Sequence, residues 1–216
     1  MKYYSTEKIN GHITLLRSIT GELLYLVEGQ EKAALIDTCL GVGHLRSLVE
    51  KLTDKELLTH GHIDHALGAP EFDRVYMNHK DLGLYQAQCP LPERKGYMQM
   101  GLAPEVFAGI EEKDFVPPTP DYQFLPLEDG MIFDLGGLTI EAIAYPGHTK
   151  GSTAFLLKED GILPATILPS FSGRRPPLWR PTRRRRKRCW SGRKGGTAGS
   201  LFLIMIWRRE RRSWRT

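Results

Sequence analysis

The alternation of apolar and polar residues lays out the first 160 positions as short strands and helices. His12-Ile13-Thr14-Leu15-Leu16, Leu23-Leu24-Tyr25-Leu26-Val27 and Ala33-Ala34-Leu35-Ile36-Asp37 are β-rich runs separated by glycine and charged residues. Between Gly43 and Leu52 the apolar Leu45, Leu48, Val49 and Leu52 recur at helical spacing and predict an amphipathic helix. Glu56-Leu57-Leu58-Thr59 predicts a short buried strand that delivers His60 at its end. Arg74-Val75-Tyr76-Met77 predicts another, followed by a helix from Asn78 or His79 towards Gln88. A helical insertion from about Pro90 closes at Val116-Pro117-Pro118-Thr119-Pro120, since proline ends helices. Two last strands, Leu138-Thr139-Ile140-Glu141-Ala142-Ile143 and Ser152-Thr153-Ala154-Phe155-Leu156-Leu157, flank a loop containing Tyr145-Pro146-Gly147-His148-Thr149. Strands and helices in alternation make this an α/β chain, with no internal repeat.

The texture changes at Ile162, where Pro, Arg, Trp and Gly take over and periodicity survives only in the Leu201-Phe202-Leu203-Ile204-Met205-Ile206-Trp207 run. Charge divides at the same place. Residues 1–160 carry 14 Lys+Arg against 24 Asp+Glu, whereas residues 161–216 carry 16 against 1, so the overall +5 hides an acidic part and a strongly basic one. The chain therefore reads as a domain over 1–161 followed by a basic tail over 162–216 with little regular structure.

Chemistry concentrates in two places. Leu57-Leu58-Thr59-His60-Gly61-His62-Ile63-Asp64-His65 puts three imidazoles and a carboxylate within six positions, and His148 stands far downstream. Neutral imidazole and carboxylate are good ligands for zinc and similar ions. In extended backbone, residues two apart point the same way, so His60 and His62 can grip one ion where a strand runs out into a loop. Asp64 and His65 fall in the next turn and can face a second ion, and Pro146 and Gly147 hold the backbone of His148 in a tight turn. Isolated histidines such as His12, His44 and His79 read instead as packing or surface residues.

This constellation resembles the metallo-β-lactamase superfamily, whose signature reads His-x-His-x-Asp-His. The resemblance implies a four-layer αββα sandwich with the site at one edge and two divalent metal ions, zinc first, with iron or manganese as alternatives. It implies that His60, His62 and His148 form one site, and that Asp64 and His65 form part of the other. It further implies a metal-dependent hydrolase in which metal-bound hydroxide attacks an ester, thioester, lactone or amide, with Asp64 as orienter or proton acceptor. A glyoxalase-II-like thioester or lactone hydrolase is the nearest named subgroup. Asp37 matches an acidic position that supports the ligands in the family. Tyr97, Met98, Met100 and Phe107 of the helical insertion are candidates to roof an apolar pocket for a small-molecule substrate, with core packing as the alternative.

Two departures stand out. The stretch between Asp54 and His60 is short for the family. More seriously, the family supplies a bridging Asp in a Leu-x-x-Gly-Asp pattern and a last His near the C-terminus, yet no Asp or His follows Asp160. The second half of the sandwich is therefore expected to be incomplete or disrupted. Pro164-Ala165-Thr166-Ile167 can be encoded CCG GCG ACG ATN, which reads Gly-Asp-Asp from the third base of each codon. In the same frame Leu203-Ile204-Met205-Ile206 can read His-His-Asp-Met. Two restorations in one frame point to a frameshift near Leu163, and misread acidic codons account for the tail's arginines and prolines.

Two other function classes compete. A truncated, non-enzymatic domain would bind polyanions incidentally through Arg183-Arg184-Arg185-Arg186-Lys187-Arg188. A di-iron redox domain of the same fold is the third reading. Cys39, Cys89 and Cys189 lack metal-type spacing and read as free thiols. With no visible signal peptide, and no apolar run near the roughly 20 residues of a membrane span, a cytoplasmic protein without a membrane partner is expected.

Overall fold

The computed structural model describes residues 1–60, 66–146 and 148–159 together with the strand residues 162, 163, 205 and 206; the side chains of 56–60 and of those last four positions are outside the description. Seven strands form one sheet in sequence order: β1 (Tyr4–Lys8), β2 (Ile13–Ser18), β3 (Leu23–Glu28), β4 (Lys32–Ile36), β5 (Glu56–His60), β6 (Val75–Met77) and β7 (Leu125–Pro126). The first four are antiparallel neighbours, and from β4 to β7 the pairing is parallel. Parallel neighbours need a crossover. The β4–β5 crossover carries helix α1 (Leu45–Leu52), and the β6–β7 crossover carries α2 (Leu82–Gln88), α3 (Leu91–Gly101) and α4 (Pro104–Phe107). A second sheet contains β8 (Ile132–Asp134), β9 (Thr139–Ala144), β10 (Thr153–Leu157), β11 (Ile162–Leu163) and β12 (Met205–Ile206), antiparallel throughout.

The apolar runs of β3 and β4 form strands because both of their faces are buried. Successive side chains alternate between faces, so Leu24 and Leu26 of β3 and Ala33 and Leu35 of β4 join a core with Leu45, Val49, Tyr85 and Met98 from the helices. The intervening Leu23, Tyr25 and Val27, with Ala34 and Ile36, join a second core with Phe133, Leu135, Ile140, Ala142, Phe155 and Leu157 from the second sheet. The first sheet is thus sandwiched between helices and sheet, giving three layers, α, β and β. Among the described residues no helix covers the outer face of the second sheet.

The two sheets are stitched at one end by backbone. The turn after β3 donates from Gln30 N–H to the Gly136 carbonyl at 2.7 Å, and from Glu31 and Lys32 N–H to the Leu135 carbonyl at 3.0 and 3.1 Å. Gly29 sits where a Cβ would collide with the Leu135 carbonyl, so only glycine allows this approach.

The expected strands and α1 are present with ends shifted by a residue or two, and the helix expected from Asn78 or His79 begins as a 3-10 turn over His79–Asp81 and becomes α-helical at Leu82. Strands β1, β7 and β8 were not among those expected. The frameshift expected near Leu163 is untested by the fold, and the basic run at 183–188 lies outside the described residues.

Candidate metal centre

The carboxyl ends of β4, β5 and β6 lie side by side. Ile36 pairs with His60, and His60 with Tyr76, so His60 ends its strand between two neighbours that end at the same level. Open α/β sheets place ligand sites just outside these strand ends.

The chain leaving β4 is strongly constrained. Asp37 and Cys39, with φ of 72° and 53°, occupy left-handed backbone that non-glycine residues adopt at a cost, and Asp37 and Thr38 are buried. Beyond the histidine motif, Ala66 forms a parallel bridge with Cys39, and Leu67 N–H donates to the Cys39 carbonyl at 2.9 Å. Gly68 packs its α-carbon against the Thr38 carbonyl, leaving no room for a Cβ. The described residues on either side of the histidine motif are thus fixed, His60 by the β5 ladder before it and Ala66 and Leu67 by the β4 exit loop after it. His62, Asp64 and His65 themselves lie outside the described residues.

Arg94 of α3 reinforces this loop from behind. Its fully buried guanidinium donates to the Leu40 carbonyl at 2.8 Å, to the Val116 carbonyl at 2.6 Å and to the Gly41 carbonyl, and it stacks 5.3 Å from the Phe115 ring centroid. Burial lowers its pKa below the ordinary arginine value. Planar Arg supplies five fixed donors, which suits three converging carbonyls.

His148 comes from the other sheet. It follows β9, is exposed, and precedes Thr149 and Gly151 in the β9–β10 loop. That loop is fastened to the first sheet through Asp81, four residues beyond the end of β6. Thr149 donates its hydroxyl proton to Asp81 Oδ2 at 2.6 Å, and Gly151 N–H donates to Asp81 Oδ1 at 2.9 Å. The Thr149 N–H donates to Ser152 Oγ at 3.0 Å, and the two hydroxyls are 3.0 Å apart. With the Thr149 proton committed to Asp81, Ser152 is the donor between them. The His148 loop thereby stands at the same end of the first sheet as His60.

Of the sequence-derived residues, the backbone of His60 and the loop of His148 are at this common end, and Asp37 is buried beside it. Among the described residues, no three His, Cys, Asp or Glu side chains form a metal-sized cluster. The donor set of His60, His62, Asp64, His65 and His148 nevertheless suits a divalent ion such as zinc by its chemistry. The insertion divides in two: Met98 is in the core and Phe107 packs on it, whereas Tyr97 and Met100 point outward, Met100 being 81% exposed. Asp81 was not singled out from sequence; an acid in a polar turn before a helix carries no signal of its burial. No helix among the described residues is long and apolar enough to cross a membrane.

The family model of the metallo-beta-lactamase superfamily matches residues 21–164. An atrochrysone carboxyl ACP thioesterase of Aspergillus novofumigatus is 27% identical over 150 residues, covering 66% of this chain and 37% of that protein. The human acyl-coenzyme A thioesterase MBLAC2 is 29% identical over 162 residues, covering 65% of this chain and 55% of that protein. The chain thus spans about half the length, or less, of these relatives. A metallo-beta-lactamase structure from Cronobacter sakazakii shares 22% identity at a TM-score of 0.48, covering 73% of this chain and 60% of that one.

Proposed function

The chain belongs to the metallo-beta-lactamase superfamily, and from that premise we propose that it is a metal-dependent hydrolase acting on an acyl thioester or a related ester, lactone or amide. The observation that carries this reading is the convergence of the His60 strand end and the His148 loop on the carboxyl ends of the parallel strands. The thioesterases among its relatives favour the thioester within that substrate class. His60, His62 and His148 would hold one divalent ion, and Asp64 and His65 would contribute to a second. When bound, such ions act as Lewis acids and bring the pKa of a coordinated water to about 7.

The chain's own residues do the rest. His60 is fixed by its strand pairing, Ala66 and Leu67 are fixed by Cys39, and Asp64 is assigned to orient the attacking water and accept its proton. Arg94 and the β4 exit loop keep that wall of the site rigid. The family's further Asp and last His have no counterpart after Asp160, so Asp64 and His65 alone would hold a second ion, where catalytic zinc sites ordinarily use three protein ligands.

The test compares the 216-residue chain with a frame-restored version by calorimetric zinc titration and by hydrolysis of acyl thioesters with and without chelator. The restored chain should bind two ions and hydrolyse in a chelator-sensitive way; the chain as written should bind weakly and turn over poorly. Two tight sites and full turnover in the written chain would mean that its tail supplies ligands. A restored chain that binds no zinc and cleaves no acyl substrate would end the hydrolase reading.

A further inference from the structure

We infer that Asp81 is the positioning residue for the His148 ligand loop: its buried carboxylate locks the β9–β10 loop onto the first sheet and so fixes where the His148 imidazole stands. The inference rests on the reading of His148 as a ligand. Its own basis is geometric. Asp81 is 4% exposed, and each oxygen of its carboxylate accepts one donor from the loop, Thr149 Oγ1–H at 2.6 Å and Gly151 N–H at 2.9 Å. The two donors lie one and three residues beyond His148, so they clamp the backbone immediately after the imidazole.

The fit is close on the other side as well. A Cβ on Gly151 would lie 2.5 Å from Asp81 Oδ2, 2.6 Å from its Cγ and 2.9 Å from Asn78 Cβ. The loop can press its main chain onto the carboxylate because residue 151 is glycine. Asp81 is itself held by its turn, with its N–H donating to the Asn78 carbonyl at 3.0 Å and Asn78 Oδ1 capping the turn by accepting from Lys80 N–H at 3.2 Å. Thr149 and Ser152 complete the network, and the Tyr145 N–H donates to the Ser152 carbonyl at 2.7 Å, closing the loop base on the His148 side. A carboxylate accepting two short hydrogen bonds away from water holds its donors firmly, because both bonds are charge-assisted. Groups that orient a metal ligand from behind typically change metal affinity 10–100-fold when removed.

The experiment is a cobalt(II) titration of the 216-residue chain followed by visible absorption, which reports the geometry of bound cobalt, beside metal-free thermal melts. Asp81→Ala should weaken cobalt binding about 10–100-fold and alter the absorption envelope. Asp81→Asn keeps an acceptor for Gly151 N–H and a polar partner for Thr149, and should recover most of both. Gly151→Ala, whose methyl group pushes the loop off a carboxylate that is still present, should reproduce the Asp81→Ala spectrum. Gly29→Ala, at the sheet-stitching turn, is the control that should lower the melting temperature without altering the spectrum. His148→Ala separates the two layers of the argument. If it binds cobalt like the unmodified chain, or if the unmodified chain gives no cobalt spectrum, the ligand reading falls and this inference with it. If His148→Ala loses binding while Asp81→Ala and Gly151→Ala keep normal affinity and spectrum, only the positioning role of Asp81 is overturned. Should Asp81→Ala not fold, Gly151→Ala and the Asp81→Asn rescue decide the matter on the same criteria.

Discussion

Arg94→Met removes a buried charge that has no carboxylate paired with it among the described residues, and two opposing terms set the sign of the outcome. Losing the guanidinium lifts a desolvation cost that for buried ions runs to several kcal/mol. Against that, the Leu40 and Val116 carbonyls lose the donors seen at 2.8 and 2.6 Å, whereas the Gly41 carbonyl still receives the Val116 N–H at 2.8 Å. Each buried acceptor left without its donor costs about 1–3 kcal/mol, and the contact with the Phe115 ring is lost as well. Methionine fills the stem's volume, so no large cavity opens. The carbonyls sit on a backbone held by left-handed residues and β-bridges and cannot turn to find other donors, so their loss should dominate, at about 3 kcal/mol net. For a domain of this size that corresponds to roughly 6–12 °C in the melting temperature. The assay is thermal unfolding by circular dichroism at pH 7, with a urea titration as a second measure. Arg94→Lys should fall between the two, because one ammonium cannot serve three carbonyls. Lys95→Met, which removes an exposed pair with Glu112, should move the midpoint by about 1 °C at most. An Arg94→Met protein melting at or above the parent temperature would show that the buried charge costs more than its hydrogen bonds return, and that the β4 exit loop holds itself in place.

Asp64→Ala in the frame-restored chain should abolish most hydrolysis while leaving the melting profile, read by turnover and circular dichroism together; near-normal turnover would remove Asp64 from its assigned role. Burial raises the pKa values of Tyr3, Tyr4, Tyr25, Tyr85 and Tyr122, with Tyr25 pushed up to about 12 by burial and secondarily by the Asp37 charge. The neutral phenols are favoured in the folded state, so this stability is present below the unfolded value of about 10 and is lost as pH climbs above it. Phenolate absorbance should therefore rise largely in step with loss of ellipticity, and early full ionisation of a still-folded chain would contradict the burial of Tyr4. Gly29→Ala should cost about 1–3 kcal/mol through overpacking against the Leu135 carbonyl, and an unchanged melting curve would show that the sheet-stitching turn can give way.

Legibility in the sequence followed burial. The runs 23–27 and 33–37 could be read because each strand is apolar on both faces, and 45–52 because its apolar residues keep helical spacing. Strand β1 could not, since only Tyr4 of its five residues is buried and Ser5, Thr6, Glu7 and Lys8 carry no alternation. Strands β7 and β8, of two and three residues, are too short for any period to show. The place of His60 at a strand end was legible because local pattern puts it there, and so was the place of His148 in a loop between two strands. Asp81 was not, because its partners Thr149 and Gly151 are 68 and 70 residues away. Arg94 was hidden likewise: a charged residue in a mixed helix suggests water, and only the three carbonyls reveal otherwise.

The two sides of α3 have separable fates. Arg94 and Met98 face inward and Arg94 holds the loop that leaves β4, whereas Tyr97 is partly exposed and Met100 is largely so. A designer could therefore replace Met100 to build new recognition, provided that the pair at 94 and 98 is kept. The helix offers an exchangeable surface on a fixed hinge pin, so its outer face can diverge without loosening the loop that leaves β4.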